Sequence, residues 1–404
     1  MTGNDGKPTT GPSTRQQSTR QQSTRQQSTR KRPTRRRFLA SAGAAGASAL
    51  LAGCSAEQTN GDETPTDPGD DTETEPGATA GSDEPDTLVV GTYDSFVDAP
   101  STSPGAWIKE TFESEFDATL VWQTPPNDVN YYIERAEAGV ETDADVYVGL
   151  NADDLVRIDG QLEGVLFDDP GELDRRDRVR DGLEFDPEGR AVPYDTGYIS
   201  LVYDSTETEA PETFDGLLEE DHRGDLIAQN PGQSTTGRAF LLHTVHRYGD
   251  DYLDFWADLQ ENDVRVLGSW NDAYAAWMGG EAPMVVSYST DQVFASQEGA
   301  DLEEHQIRFL DDEGYANPEG MARFADANAP DLAREFLEFM LRPGVQGEIA
   351  QRNVQFPATD DAELPDDYSQ YAHEPPTPVT FGYDELAGGL EEWISEWERQ
   401  FAGN

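Results

Sequence analysis

From Thr87 onward the chain alternates short β-rich runs with helix-period stretches, and few architectures accept that rhythm. The runs are TLVVGTY, ATLVWQ, DVYVGL, YISLVYD, DLIAQN, VRVLGSW and APMVVSYS. Between them, 129–138, 236–248 and 273–278 read as helices. The clearest helix is DLAREFLEFML. There Leu332, Phe336 and Met340 share a face with Ala333 and Leu337, and Pro343 ends it. Alternation of strands with helices in this way specifies an α/β fold with mainly parallel sheets. The stretch from Thr87 to Asn404 is long for one such sheet, so two lobes with a cleft between them are expected.

The residues that follow these strands share a chemistry. LVVGT runs into Tyr93-Asp94-Ser95, DVYVG into Leu150-Asn151 and DLIAQ into NPGQSTTG. VRVLGS leads to Trp270-Asn271-Asp272, and MVV to Ser287-Tyr288-Ser289-Thr290-Asp291. Ordinary capping explains any one of these loops. Together they suit a ligand crevice, which in open α/β sheets lies beyond the carboxyl ends of the strands. In NPGQSTTG, Gly232 permits a tight turn. One of Ser234, Thr235 and Thr236 caps the helix beginning near Gly237, leaving two hydroxyls for a ligand. Tyr93, Trp270 and Tyr288, with Asp94 and Asp291 nearby, suit a flat organic cation: aromatic faces attract it and carboxylates supply counter-charge.

Catalytic machinery is poorly supplied. No GxSxG or Walker loop occurs, and the single thiol, Cys54, is far upstream of the folded part. His243 and His246 have i, i+3 spacing but no carboxylate or cysteine framework beside them, so no metal or cofactor is expected. The Tyr131-Tyr132 pair is the kind ferric sites use. It reads instead as one face of an amphipathic helix.

Charge and the amino-terminal segment fix the expected compartment. The formal net charge is −53. Residues 1–53 carry ten Lys or Arg against Asp5, so removing their +9 leaves −62 from Cys54 onward. Such self-repulsion is tolerable where salt shortens the Debye length to roughly 3 Å, the situation of a halophilic, haloarchaeal protein. Nucleic acid is excluded as a partner. TRRRFLASAGAAGASALLAGCSAEQ places paired arginines before an apolar run, Phe38–Gly53, shorter than the roughly 20 residues a spanning helix needs. Small residues then precede Cys54. This resembles a twin-arginine export signal with a lipobox, which makes Cys54 a lipid anchor. Upstream, the STRQQ repeats are basic and of low complexity. The expected organisation is signal and repeats over 1–53, an acidic tether over 54–86, and a folded domain over 87–404. Lobe 1 takes about 87–193 plus parts after 289, and lobe 2 about 198–284 plus the C-terminal helices.

Over most of Thr87 to Gln400 the chain resembles the thiamine-binding substrate-binding proteins of bacterial ABC importers. TYDSF, DVYVGL, PYDTGYISLVYD, QNPGQSTTG, SWNDAYAAWMGGEAPMVVSYST, FLEFMLRPGVQ and WISEWERQ carry the resemblance. It implies a type II periplasmic-binding-protein fold, with crossover strands near Pro193–Tyr198 and Met284–Tyr288. It also implies ligand contacts at Tyr93, Asn127, Asp128, Ser234, Thr235, Trp270, Tyr288, Ser289, Thr290 and Asp291, with Glu319 accepting from the pyrimidine amine. The pattern departs from the family's early Trp-Gly-Pro-Gly, since Trp107 stands elsewhere, and from its late Asn-Trp, here Asn353-Val354. The implied protein is a monomeric, exported, lipid-anchored binder on the outer face of the cytoplasmic membrane. It would pass thiamine or its phosphates to a permease and its ATPase. Ferric-ion or polyamine binding, and an exported enzyme acting on a thiamine or pyrimidine compound, are the alternatives.

Overall fold

The computed structural model describes residues 86–401 together with Gly3. The repeats, the export signal, Cys54 and the tether up to residue 85 lie outside the described residues. The first strand begins at Asp86, one residue earlier than expected.

The strands of the first stretch are β1 (Asp86–Thr92), β2 (Ala118–Gln123), β3 (Val146–Leu150), β4 (Phe167–Asp168), β5 (Val192–Tyr203) and β6 (Leu226–Gln229). Then come β7 (Arg265–Leu267), β8 (Met284–Tyr288), β9 (Gln306–Arg308), β10 (Glu313–Phe324), β11 (Phe356–Pro357) and β12 (Thr377–Val379). The helices are α1 (Asp94–Val97), α2 (Gly105–Glu115), α3 (Asn130–Glu137), α4 (Ala152–Gln161), α5 (Thr235–Tyr248) and α6 (Tyr252–Glu261). They continue with α7 (Trp270–Met278), α8 (Asp291–Glu298), α9 (Pro330–Met340), α10 (Pro343–Ile349) and α11 (Tyr383–Phe401). Pro343 does end α9, and it also opens α10, where its missing N–H costs nothing.

The sheet follows the path β2-β1-β3-β10-β5-β8-β6-β7. At one end β1 pairs in parallel with β2 and β3; at the other β6 pairs in parallel with β7 and β8. Between these parallel sets run β5 and β10, 12 residues each and antiparallel to one another. Gly320–Arg323 of β10 pair with β3, while Ile199–Tyr203 of β5 pair with β8. The chain therefore passes between the two halves on β5 and again on β10. The second passage was expected at Met284–Tyr288. That segment is β8, which pairs with the far end of β5 inside one half. The reason is compositional: β8 is an apolar run, whereas β10 hides behind Asn317, Pro318 and Gly320.

Side-chain alternation explains why helices cover both faces of each half. In the first half Val90, Val146 and Val148 pack with Phe112, Phe336 and Phe339, while Tyr147 turns to a separate core with Tyr132 and Phe324. In the second, Met284 and Val286 join Phe240, Trp256 and Trp397, and Val285 joins Tyr274 and Trp277. Period-two burial on both faces requires apolar residues at every position, which is how these strands read.

Candidate functional site

The loops that leave the carboxyl ends of β1, β2, β6, β7 and β8 surround a cleft of ≈ 1170 Å³. Glu319 of β10 and Asn353 also line it. Residues of both halves of the sheet thus face one space.

Tyr93 follows β1 and enters the cleft as its neighbours dictate. Gly149 has φ +105°, and a Cβ there would stand 2.4 Å from the Tyr93 ring, so only glycine lets the ring lie flat on β3. The Tyr93 hydroxyl donates to Glu319 Oε2 at 2.9 Å, and Tyr194 donates to the same oxygen at 2.6 Å. Glu319 is nearly buried, and burial pushes its carboxyl up to about 6 despite these two donors. Directly across the strand pair from Glu319 stands Asp195 on β5, fully buried. Asn353 Nδ2 donates to Asp195 Oδ2 at 2.7 Å and lies 3.0 Å from the Tyr93 hydroxyl. Burial first, and Glu319 second, raise the Asp195 carboxyl well above the usual range.

Trp270 and Tyr288 form the facing wall. Ser269 caps α7 by accepting from Asp272 N, which sets Trp270 at the first helical position. Its indole stacks on Tyr274, with centroids 4.7 Å apart and planes 22° apart, and Nε1 donates to Ser287 Oγ at 3.0 Å. It is half-buried, with ring surface facing the cleft. Tyr288 accepts from Asn317 Nδ2 at 3.0 Å, and Gly197 makes room for its ring.

Ser234 is the cap of α5: its Oγ accepts from Gly237 N at 3.3 Å. Thr235 and Thr236 line the cleft beside it. Asn127 and Asp128 sit in the turn before α3, where Asp128 has φ 48°. Burial, then the nearby Asp154, push the Asp128 carboxyl up to about 7, against the pull of Arg238. Asp94 lines the mouth and accepts from Asn271 Nδ2 at 2.9 Å, a bond from α1 in the first half to α7 in the second.

Two residues depart from the expected arrangement. Ser289 is fully buried and does not line the cleft; its Oγ donates to the His373 carbonyl at 2.6 Å. Asp291 borders the cleft, but its carboxylate accepts from the Tyr274 hydroxyl and meets His305 Nδ1 at 2.6 Å. Both of its oxygens are already engaged. Thr290 lines the cleft while its hydroxyl donates to the Val354 carbonyl. Tyr194 and Asp195 were missed, although PYDTG contains them, and Asn271 was expected only as one of the polar residues of its loop. Asn353 entered only as a departure from the family pattern.

The alternative metal sets do not assemble. Tyr132 is fully buried and donates to Gln123 Oε1 at 3.0 Å, while Tyr131 donates to Asp143. His243 is buried 3.7 Å from Glu313. Among the described residues no group of three or more His, Cys, Asp or Glu is arranged to hold a metal ion.

A cleft framed by two half-sheets that share two antiparallel strands defines a solute-binding protein of the periplasmic type. Residues 107–376 match the family described as bacterial extracellular solute-binding protein. The chain is 31% identical over 313 residues to the thiamine-binding periplasmic protein of Salmonella typhimurium, covering 77% of this chain and 92% of that one. It is 31% identical over 317 residues to the Escherichia coli thiamine-binding periplasmic protein, with the same coverage of 77% and 92%. A solved periplasmic thiamin binding protein superposes with a TM-score of 0.70 at 29% identity, covering 80% of this chain and 98% of its own. This chain belongs to the bacterial extracellular solute-binding protein family, and its relatives are binding proteins, not enzymes.

Proposed function

We propose that this protein captures thiamine, or its mono- or diphosphate, outside the cell and passes it to the permease of an ABC importer. The observation that carries the reading is the cleft itself: Tyr93, Trp270 and Tyr288 offer aromatic faces around a buried acceptor, Glu319. A flat cation with an exocyclic amine suits that set, because π faces and a shielded carboxylate both favour positive charge. The names of the relatives support the same ligand. The hydroxyls of Ser234, Thr235 and Thr236 at the start of α5 suit the hydroxyethyl or phosphate end. Lipid anchoring through Cys54, export by the twin-arginine route and a monomeric state belong to the same proposal.

Titration calorimetry in multimolar KCl tests the ligand. Thiamine is expected to bind at one site per chain, with ferric ion and spermidine giving no saturable heat. Saturable binding of spermidine without thiamine would overturn the assignment in favour of a polyamine.

A further inference from the structure

Under the lining of the cleft lies a feature that cation binding alone does not require. Asp195 and Glu319 face each other across β5 and β10, so two carboxyl groups share one face of a buried strand pair. Like charges placed opposite one another destabilise a sheet, and burial magnifies the cost. The partners are unequal. Glu319 Oε2 receives both phenol protons, from Tyr93 and Tyr194, which favours an anion there. Asp195 receives one amide hydrogen from Asn353, and its Oδ1 has no partner among the described residues. None of these partners is a cation.

We infer that Asp195 and Glu319 act as one acidic unit that holds a single proton, mainly on Asp195, while the cleft is empty, and releases it to solvent when a cationic ligand enters beside Glu319. Asp195 is then a specificity-determining residue that never touches the ligand. It leaves the floor singly negative when empty and doubly negative when a cation is present to compensate. The inference rests on the ligand being a cation such as thiamine.

The surroundings leave the pair as the group that titrates. Tyr93 and Tyr194 bond Glu319 directly, while Tyr147 on β3, Tyr288 on β8 and Tyr368 lie close enough to feel the charge of one or both carboxyls. Each phenol is pushed up by burial and stays neutral near pH 7. From α4, Asp154 adds negative charge, but it is ion-paired with Arg238. The pair titrates as a unit, with its upper step raised by burial and mutual repulsion.

Calorimetry with thiamine in two buffers of different ionisation enthalpy counts the protons exchanged. Between the pair's two steps the wild type is expected to release about one proton per thiamine. Its affinity should weaken by about tenfold per pH unit below the upper step and level off above it. Asp195→Asn keeps the shape and an acceptor for Asn353. It is expected to lose most of the proton release and flatten the pH profile over that range. A purely structural role for Asp195 would instead lower affinity equally at every pH and leave the proton count unchanged. Thiamine binding with no proton exchange in the wild type overturns the inference. Absence of thiamine binding at any pH overturns the ligand assignment, and a ligand-free comparison then decides the pair separately. Without ligand, the wild type should lose melting temperature relative to Asp195→Asn as pH rises through the pair's range. Parallel melting profiles would mean that the empty cleft holds no such proton.

Discussion

Trp270 is the residue on which the ligand reading is most exposed. Its indole is held from behind by Tyr274 and pinned at Nε1 by Ser287, leaving a face for the cleft. Removing it deletes a π face and stacked area worth about 2 kcal/mol or more in a desolvated site. Trp270→Ala should therefore weaken thiamine binding at least about 30-fold, and Trp270→Phe should recover part of the loss. Unchanged affinity in a folded Trp270→Ala protein would remove the residue from the site. Glu319 allows a second test, of opposite sign. Its carboxyl, normally near 4.5, is pushed up to about 6 by burial. A raised acid contributes stability that is fully present below its unfolded value and is lost as pH rises through the folded one. Above about pH 6 the anion therefore costs the empty protein on the order of 2 kcal/mol. Glu319→Gln should melt higher than wild type at pH 8, with the gain fading toward pH 4.5, while losing thiamine affinity. A variant that melts lower at pH 8 would contradict this. Residue type was legible in the sequence and orientation was not. Asp291 stands where the loop pattern put it, yet its carboxylate turns to Tyr274 and His305, and no spacing rule encodes that choice.

Among elements, the apolar strands announced themselves; of the two shared strands β5 did so in its second half, YISLVY, and β10 not at all. ATLVWQ is β2 from end to end, and β3 and β8 differ from the expected runs only at their margins. By contrast β10 reads EGYANPEGMARF, whose Asn317-Pro318-Glu319-Gly320 ordinarily signals a turn. Pro318 cannot donate to a ladder, and the register shifts between Glu319 and Gly320. The first half of β5, VPYDTG, is disguised in the same way. These are the segments that carry Asp195, Asn317 and Glu319. Local rules fail where polar groups must be buried for binding, and tertiary pairing overrides them. The joint between α4 and α5 makes an element-scale prediction. Arg238 of α5 is buried against Asp153 and Asp154 of α4, with Asp128 close by. Arg157 also meets Asp154, at 3.4 Å, but removing Arg238 leaves the buried Asp153 without its ion-pair partner, so Arg238→Ala should cost about 3–5 kcal/mol of stability. A double-mutant cycle with Asp153→Asn should recover a coupling of at least about 1 kcal/mol. Additive effects would mean that the bond joining the two helices contributes nothing measurable.

At the scale of the molecule, the charge of −62 beyond Cys54 should make salt a condition of folding. Ordinary surface charge is largely screened at 0.15 M, where the Debye length is about 8 Å. Here the melting temperature is expected to keep rising well into molar KCl. A flat response would contradict the halophilic reading. Cys54→Ser should release the protein from the membrane while leaving the thiamine affinity of the soluble domain unchanged. Retention at the same lipidated mass would rule out the anchor. The two passages of the chain on β5 and β10 also bear on how the protein is made. Val90 and Val148 of the first half close against Phe336 and Phe339 of α9, which lie far downstream. Neither half is finished when its own strands have left the ribosome, because β10 and α9 arrive late to complete the first and α11, later still, completes the second. Such distant pairings fold slowly and leave apolar edges open meanwhile. A chain ending before β10 should thus behave as an aggregation-prone polypeptide, not as one working lobe, so that either lobe is expected to fold only in the company of the other.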